Sequence, residues 1–137
     1  GNFKNYIQDV MDNAKLMATT IMSRDINVVS NGTENHIVLV DLRSKNITGK
    51  DLEKVLGSVN ITVNKNSVPN DTASPFVTSG IRIGTPAITT RGFGKKEVVQ
   101  VANWIADIIE NIDDELVHEK VKNEVSSLTS EYPVYRL

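Results

Sequence analysis

Apolar residues that recur at spacings of three and four positions constrain this chain most, because they define helices near both ends of the sequence. Such a pattern is typical of an amphipathic helix, and near the start it predicts one over residues 3–23. The residues that carry it are Phe3, Ile7, Val10, Ala14, Met17 and Ile21. A second run of this kind predicts a helix over residues 95–111, with Trp104 near its apolar edge. Any sheet must therefore be built mainly from the segments between these helices.

Short strand-like segments, separated by turn residues, lie between the two helices. They are INVVS at 26–30, HIVLVDL at 36–42, NITVNK at 60–65 and GIRIGT at 80–85. Asn31-Gly32 predicts a tight hairpin turn between the first two strands. Residues 66–80 have no period and contain many turn-forming residues, so they predict a long loop.

Two further helices follow from capping patterns. Thr48 and Asp51 form a T-x-x-D pattern that predicts a short helix over residues 49–57. Asp113 or Asp114 can cap a last helix that precedes an extended end at Pro133. The element order is then α-β-β-α-β-β-α-α, which predicts the α+β fold class. We expect a two-layer sandwich in which a small, mostly antiparallel sheet packs against helices.

Length and charge narrow the class of protein further. A chain of 137 residues fits one domain, so we expect residues 1–137 to form a single domain. The formal net charge is −2, and the sequence has no basic run beyond Lys95-Lys96, which argues against nucleic acid as a partner. No apolar stretch approaches the roughly 20 residues of a membrane span. The chain has no cysteine, and His36 and His118 lack the neighbours that a metal site or a catalytic triad needs.

Arg82 is the first candidate for a binding residue. In GIRIG, strand alternation directs Ile81 and Ile83 to one side and Arg82 to the other. If the isoleucines face the core, the arginine faces outward, where its guanidinium can bind a carboxylate through two parallel hydrogen bonds. The alternative interpretation is a solvated strand arginine with no ligand.

The loop before Arg82 holds the other candidates. Asn64 and Asn66 carry donors and acceptors that suit a polar heterocycle, although they are also ordinary turn residues. The sequence SPF at 74–76 places a hydroxyl, a rigid ring and an aromatic ring side by side. These three residues could line a flat ligand or could fix the loop. No acid–base pair or nucleophile stands near them, which suggests that the chain contributes to a site completed elsewhere.

The stretch TGKDLEKVLGSVNITVNKNSVPNDTASPFVTSGIRIGTPAITTRGF, residues 48–93, closely resembles the C-terminal domain of one known family, serine hydroxymethyltransferase. The resemblance covers essentially the whole chain after the first residue or two, and its most specific part runs from NKNSVPND to SPFVTSGIRIGTPA, residues 64–87. It also includes VVSNGTENHIVLVDL at 28–42 and YPVYRL at 132–137. It implies the C-terminal small domain of an aspartate aminotransferase-like fold.

The resemblance also implies an activity and a set of site residues. The family depends on pyridoxal 5'-phosphate and interconverts serine and glycine, with transfer of the one-carbon unit to or from tetrahydrofolate. By resemblance, Arg82 binds the carboxylate of the amino-acid substrate and Asn66 lies beside the folate pterin. Ser74, Pro75 and Phe76 correspond to a segment that contacts folate.

The family's Schiff-base lysine stands in a threonine- and histidine-rich motif, and no lysine of this chain has that setting. We therefore expect a C-terminal domain without its large cofactor-binding domain, with no catalytic residue of its own and inactive alone. Gly1 is expected to be a tag remnant. The full enzyme is expected to be cytoplasmic, and a homodimer or tetramer. The alternative is an autonomous α+β binding module derived from the same domain, which the reading frame upstream of Phe3 would distinguish.

Overall fold

The part of the chain that the structure describes contains four α-helices. The structure, a computed structural model, describes residues 3–29, 36–85 and 93–131. Within them lie α1 (Phe3–Ser23), α2 (Gly49–Ser58), α3 (Lys95–Glu110) and α4 (Glu115–Thr129), with a 3-10 turn at Arg43–Lys45. The helices predicted over 3–23, 49–57 and 95–111 are confirmed to within one residue at each end. The predicted turn at Asn31-Gly32 and the extended end at Pro133 lie outside the described residues.

Side-chain caps explain where α2 and α4 begin. Thr48 is extended, and its Oγ1 accepts a hydrogen bond from the backbone N–H of Asp51 at 3.1 Å. Asp114 Oδ1 accepts hydrogen bonds from the backbone N–H groups of Leu116 and Val117 at 3.0 and 3.3 Å. Each cap satisfies N–H groups that the first turn of a helix leaves without partners. The second of the two predicted capping aspartates is therefore the one that caps α4.

A four-stranded antiparallel sheet has the strand order β1-β2-β4-β3. Its strands are β1 (Asn27–Val28), β2 (Ile37–Asp41), β3 (Asn64–Asn66) and β4 (Gly80–Gly84). The last of the described strands, β4, thus lies between two others, and hydrogen bonds hold it on both sides. All pairings among the described strands are antiparallel.

All four strands are shorter than their predicted segments, β2 and β4 by one residue at one or both ends and β1 and β3 by more. The β1 ladder covers two residues where five were predicted, and β3 begins four residues later than predicted. Asn60 has a φ of 70°, and the N–H of Ile61 donates to the carbonyl of Leu56 at 2.9 Å, so these residues still complete the end of α2. Ile61 and Val63 are buried, so their alternation reflects core packing and not a strand ladder.

The core lies between the helices and one face of the sheet. α1 contacts β1 and β2, α2 contacts β3 and β4, α3 packs on α1 and α2, and α4 packs on α3. The inner face of the sheet presents side chains that are all buried, namely Val38, Val40, Ile81 and Ile83. The predicted two-layer α+β architecture is confirmed.

The first turn of α2 lies too close to β4 for a side chain to fit. A Cβ on Gly49 would collide with the carbonyl oxygen of Gly80 and the hydroxyl of Thr78. The N–H of Gly49 donates to the carbonyl of Thr78 at 3.0 Å, which holds the helix start against the strand. At the other end of the same helix, a Cβ on Gly57 would meet nothing within 4 Å.

We expect Gly49→Ala to lower the free energy of unfolding by about 1–3 kcal/mol, because the added methyl group overpacks a backbone contact. Gly57→Ala is the matched control in the same helix. It should raise the free energy of unfolding by about 0.5–1 kcal/mol, because alanine is favoured over glycine in a helix. Urea unfolding of both variants measures the difference. Equal unfolding midpoints would contradict the close approach of α2 to β4.

Candidate functional site

Arg82 stands at the middle of β4 and points away from the core. Ile81 and Ile83 on either side are buried and Arg82 is exposed, as strand alternation predicted. The register places Arg82 opposite Leu39 on β2 and opposite Asn64 on β3. We call this side of the sheet the open face; it carries Asn27, Leu39, Asp41, Asn64, Asn66 and Arg82. Because β4 is hydrogen-bonded on both sides, the backbone that carries the Arg82 side chain is held rigidly.

The Arg82 guanidinium has no hydrogen bond or ion pair with any side chain or carbonyl in residues 3–29, 36–85 and 93–131. Arg24 and Arg43 differ, because each forms an ion pair with a carboxylate at an N–O distance of 2.7 Å. A guanidinium presents five N–H donors in a planar fork and accepts nothing. An exposed fork on a rigid strand is suited to an external carboxylate or phosphate.

Asn66 lies on the open face beside Arg82. It is opposite Gly80 in the β3–β4 ladder, two residues further along β3 than Asn64, which is opposite Arg82. The Asn66 side chain is half-buried, and its Nδ2 donates to the carbonyl of Ser67 at 2.8 Å. This bond fixes the orientation of the amide and directs its oxygen away from Ser67. The structure therefore brings together two of the predicted site residues, Asn66 and Arg82.

The loop between β3 and β4 is organised around the carboxylate of Asp71. Its two oxygens accept hydrogen bonds from the N–H groups of Val68, Ala73 and Ser79 at 3.2, 2.8 and 2.8 Å. The Ser79 hydroxyl donates a fourth bond at 2.7 Å. The Ala73 N–H and the Ser79 hydroxyl are the main reasons that the pKa of Asp71 falls from 3.8 to about 2. One side chain thus joins both ends of the loop.

Ser74, Pro75 and Phe76 project from this loop and are exposed, with Phe76 81% exposed. The Ser74 carbonyl accepts hydrogen bonds from the N–H groups of Val77 and Thr78 at 3.0 and 2.9 Å, which forms a tight turn. The carbonyls of Val77 and Thr78 accept hydrogen bonds from the N–H groups of Lys50 and Gly49, in the first turn of α2. These contacts place the three residues on the loop beside the start of α2. Among the described contacts, no hydrogen bond links them to Asn66 or Arg82.

Sequence reasoning missed the structural role of Asp71. The N–H of Ala73 donates to the Asp71 carboxylate two residues earlier, and this bond closes a turn of a kind that aspartate commonly forms. An aspartate in a loop was therefore a signal for this bond that the sequence already contained. The two bonds from Ser79 join residues eight positions apart across an irregular loop. No periodicity predicts such a contact.

The described residues do not fit a resident pyridoxal phosphate. A Schiff-base lysine is normally desolvated, and none of the lysines is buried. Lys65, which is half-buried, lies 3.7 Å from the Glu53 carboxylate. Within residues 3–29, 36–85 and 93–131 no group of three or more histidine, aspartate or glutamate side chains could hold a metal ion. His36 is exposed, and a ring nitrogen of His118 is bonded to the carbonyl of Asn111 at 3.0 Å.

None of the described helices has the length and apolar character that crossing a membrane would require.

Comparison with known proteins identifies one family. The model of the serine hydroxymethyltransferase family matches residues 1–105. Three similar relatives, each named serine hydroxymethyltransferase, come from Halorhodospira halophila, Pseudoalteromonas atlantica and Shewanella pealeana. They are 56%, 58% and 57% identical to this chain over 98%, 98% and 97% of its length. The chain spans about a third of these relatives, 32% in each case.

We expect acid to weaken the loop as Asp71 becomes protonated. Because its pKa is depressed in the folded state, the carboxylate stabilises the fold above its unfolded pKa of 3.8, and this contribution is lost as the pH falls towards about 2. Asp71→Asn should therefore lower the melting temperature at pH 7 and flatten the loss of stability below about pH 4. Melting curves across this range measure both effects.

Asp9→Asn, at an exposed position on α1, is the control for the loss of one negative charge. It should leave the acid-dependent loss of stability as in the wild type. If Asp71→Asn and Asp9→Asn give the same melting curves at every pH, the hydrogen bonds of Asp71 do not stabilise the loop.

Proposed function

The chain belongs to the serine hydroxymethyltransferase family, and we propose on that basis that it supplies the arginine that binds the substrate carboxylate in an enzyme that interconverts serine and glycine. The reaction would transfer the one-carbon unit to or from tetrahydrofolate. The observation that carries this proposal is the exposed Arg82 guanidinium, presented from a strand held on both sides. Arg82 lies in the part of the chain that matches the family model.

The role of Arg82 follows from its geometry. A carboxylate that docks on the open face receives two parallel N–H donors from one guanidinium, which fixes both the position and the plane of the carboxylate. One such charge-assisted hydrogen bond contributes about 1.5–3 kcal/mol. Holding the carboxylate also orients the reacting bonds of the amino acid. This orientation lowers the activation barrier of the reaction, which takes place at other atoms of the same amino acid.

Asn66 and the SPF segment are proposed to form part of the folate site. The Asn66 amide can both donate to and accept from a polar heterocycle such as a pterin. Phe76 offers an aromatic face that the domain itself does not cover, since 81% of the residue is exposed. Ser74 adds a hydroxyl and Pro75 stiffens the turn that carries the ring.

The remaining parts of the enzyme are proposed to lie outside this chain. We propose that residues 1–137 form a single C-terminal domain, since the chain corresponds to 32% of its relatives. Pyridoxal phosphate, held by the large domain, supplies an electron sink when it is bound. The domain alone should be inactive, because it provides no Schiff-base lysine. The full enzyme is proposed to be a cytoplasmic homodimer or tetramer.

In the full-length enzyme, Arg82→Lys should raise the KM for serine about 10- to 100-fold, because lysine cannot form the two parallel bonds of the guanidinium. The absorbance of the bound cofactor should not change. Steady-state kinetics and an absorbance spectrum measure the two quantities. Arg24→Lys makes the same chemical change at an arginine that is already paired with Asp107 and Glu110, and it should leave the KM for serine as in the wild type. Unchanged serine kinetics in Arg82→Lys would refute the assignment.

Phe76→Ala tests the folate site separately. We expect a rise of about 3- to 10-fold in the KM for tetrahydrofolate, because one aromatic contact contributes about 0.5–1.5 kcal/mol. The KM for serine and the melting temperature should stay unchanged, since the ring is exposed in the domain. Leu116→Ala removes another exposed apolar side chain, 83% exposed on α4, and serves as the control. Equal folate kinetics in the two variants would exclude Phe76 from the site.

A further inference from the structure

A carboxylate lies close to Arg82 on the open face. Asp41 is opposite Gly80 in the β2–β4 ladder, and Leu39, two residues earlier, is opposite Arg82. Asp41 and Arg82 are therefore diagonal neighbours on the same face of an antiparallel pair. Such neighbours lie about 7–8 Å apart, which is within reach of a long side chain. An unoccupied Asp41 carboxylate would therefore be a ready acceptor for the Arg82 guanidinium.

Arg43 occupies that carboxylate instead. Its Nη2 donates to Asp41 Oδ2 at 2.7 Å, its Nε lies 3.1 Å from Oδ1, and its backbone N–H donates to Oδ1 at 3.0 Å. A further bond, from Arg43 Nη1 to the carbonyl of Asn70 at 3.4 Å, ties the guanidinium to the loop. The Asp41 side chain is only 16% exposed, whereas that of Arg43 is 45% exposed. The hydrogen bonds from Arg43 lower the pKa of Asp41, so this carboxyl is ionised at neutral pH.

We propose that Arg43 is a positioning residue of the enzyme, which keeps Asp41 from capturing Arg82 and so leaves the Arg82 guanidinium available to the substrate. This inference rests on the proposed function of Arg82. A carboxylate on the same sheet would compete strongly with a dissolved amino acid for the Arg82 guanidinium. It is already attached to the protein, so it loses no translational freedom when it binds. The ion pair with Arg43 occupies the Asp41 carboxylate, so Asp41 no longer competes for Arg82, and Arg82 keeps its positive charge.

The test uses the full-length enzyme with the variants Arg43→Gln, Asp41→Asn and the double variant. Arg43→Gln should raise the KM for serine about 5- to 10-fold, as expected if Asp41 then holds Arg82 in about 80–90% of the molecules. Asp41→Asn should leave the KM for serine within about twofold of the wild type, because the competitor has lost its charge. The double variant should also return to within about twofold of the wild type.

The asymmetry between the single variants separates this role from a structural one. Each single variant breaks the same ion pair, so a purely structural role predicts that both raise the KM for serine to a similar extent. The KM for tetrahydrofolate should stay within about twofold in Arg43→Gln, because the hydrogen bonds of Asp71, which the variant leaves in place, still hold the loop that carries Phe76. Equal losses in the two single variants, or a parallel rise in both KM values, would overturn the proposal.

Two further comparisons keep the test decisive. If Arg43→Gln is too unstable to assay, Arg43→Lys keeps a cation beside Asp41, and the proposal expects a rise of less than about threefold in the KM for serine. A larger rise would overturn it. If Arg82→Lys leaves serine kinetics unchanged, the proposed function fails. If Arg82→Lys weakens serine binding but Arg43→Gln does not, only the role of Arg43 fails.

Discussion

The antiparallel ladder that places β4 between β2 and β3 is the constraint on which the proposed site depends. It sets which side chains of β4 enter the core and which reach the open face. A shift of the register by one residue would bury Arg82 and expose Ile81 and Ile83. Burying a guanidinium without a partner costs several kcal/mol. The apolar inner face of the sheet and the outward direction of Arg82 therefore support the same register.

Two different structural features hold the proposed binding residues in place. Arg82 and Asn66 are fixed by strand pairing, whereas Ser74 to Phe76 depend on a loop that the Asp71 carboxylate organises. The strand residues are suited to a small charged group whose position must be set closely. The loop residues are suited to a larger flat ligand that contacts an exposed aromatic ring. The open face also carries Asp41, and Arg43, which follows β2, pairs with this carboxylate at 2.7 Å.

Local patterns predicted the helices and the outward direction of Arg82, because both depend on a short period in the sequence. The start of β3 was predicted wrongly, since Ile61 and Val63 alternate as in a strand but fill the core beside the end of α2. The place of β4 between β2 and β3 and the bonds from Ser79 to Asp71 join residues far apart in the chain. Contacts of this kind depend on the assembled sheet and the path of the loop. Residue chemistry made Asn66 and the SPF segment candidates but left ordinary turn roles open for them, and only the family resemblance assigned them to folate.

The central claim is that the Arg82 guanidinium binds the carboxylate of an amino-acid substrate. The most direct test is a crystal structure of the full-length enzyme with glycine or serine bound. We predict that both carboxylate oxygens lie about 2.7–2.9 Å from nitrogens of Arg82, in the geometry of a bidentate pair. A carboxylate bound by another cation, with Arg82 directed into solvent, would contradict the account.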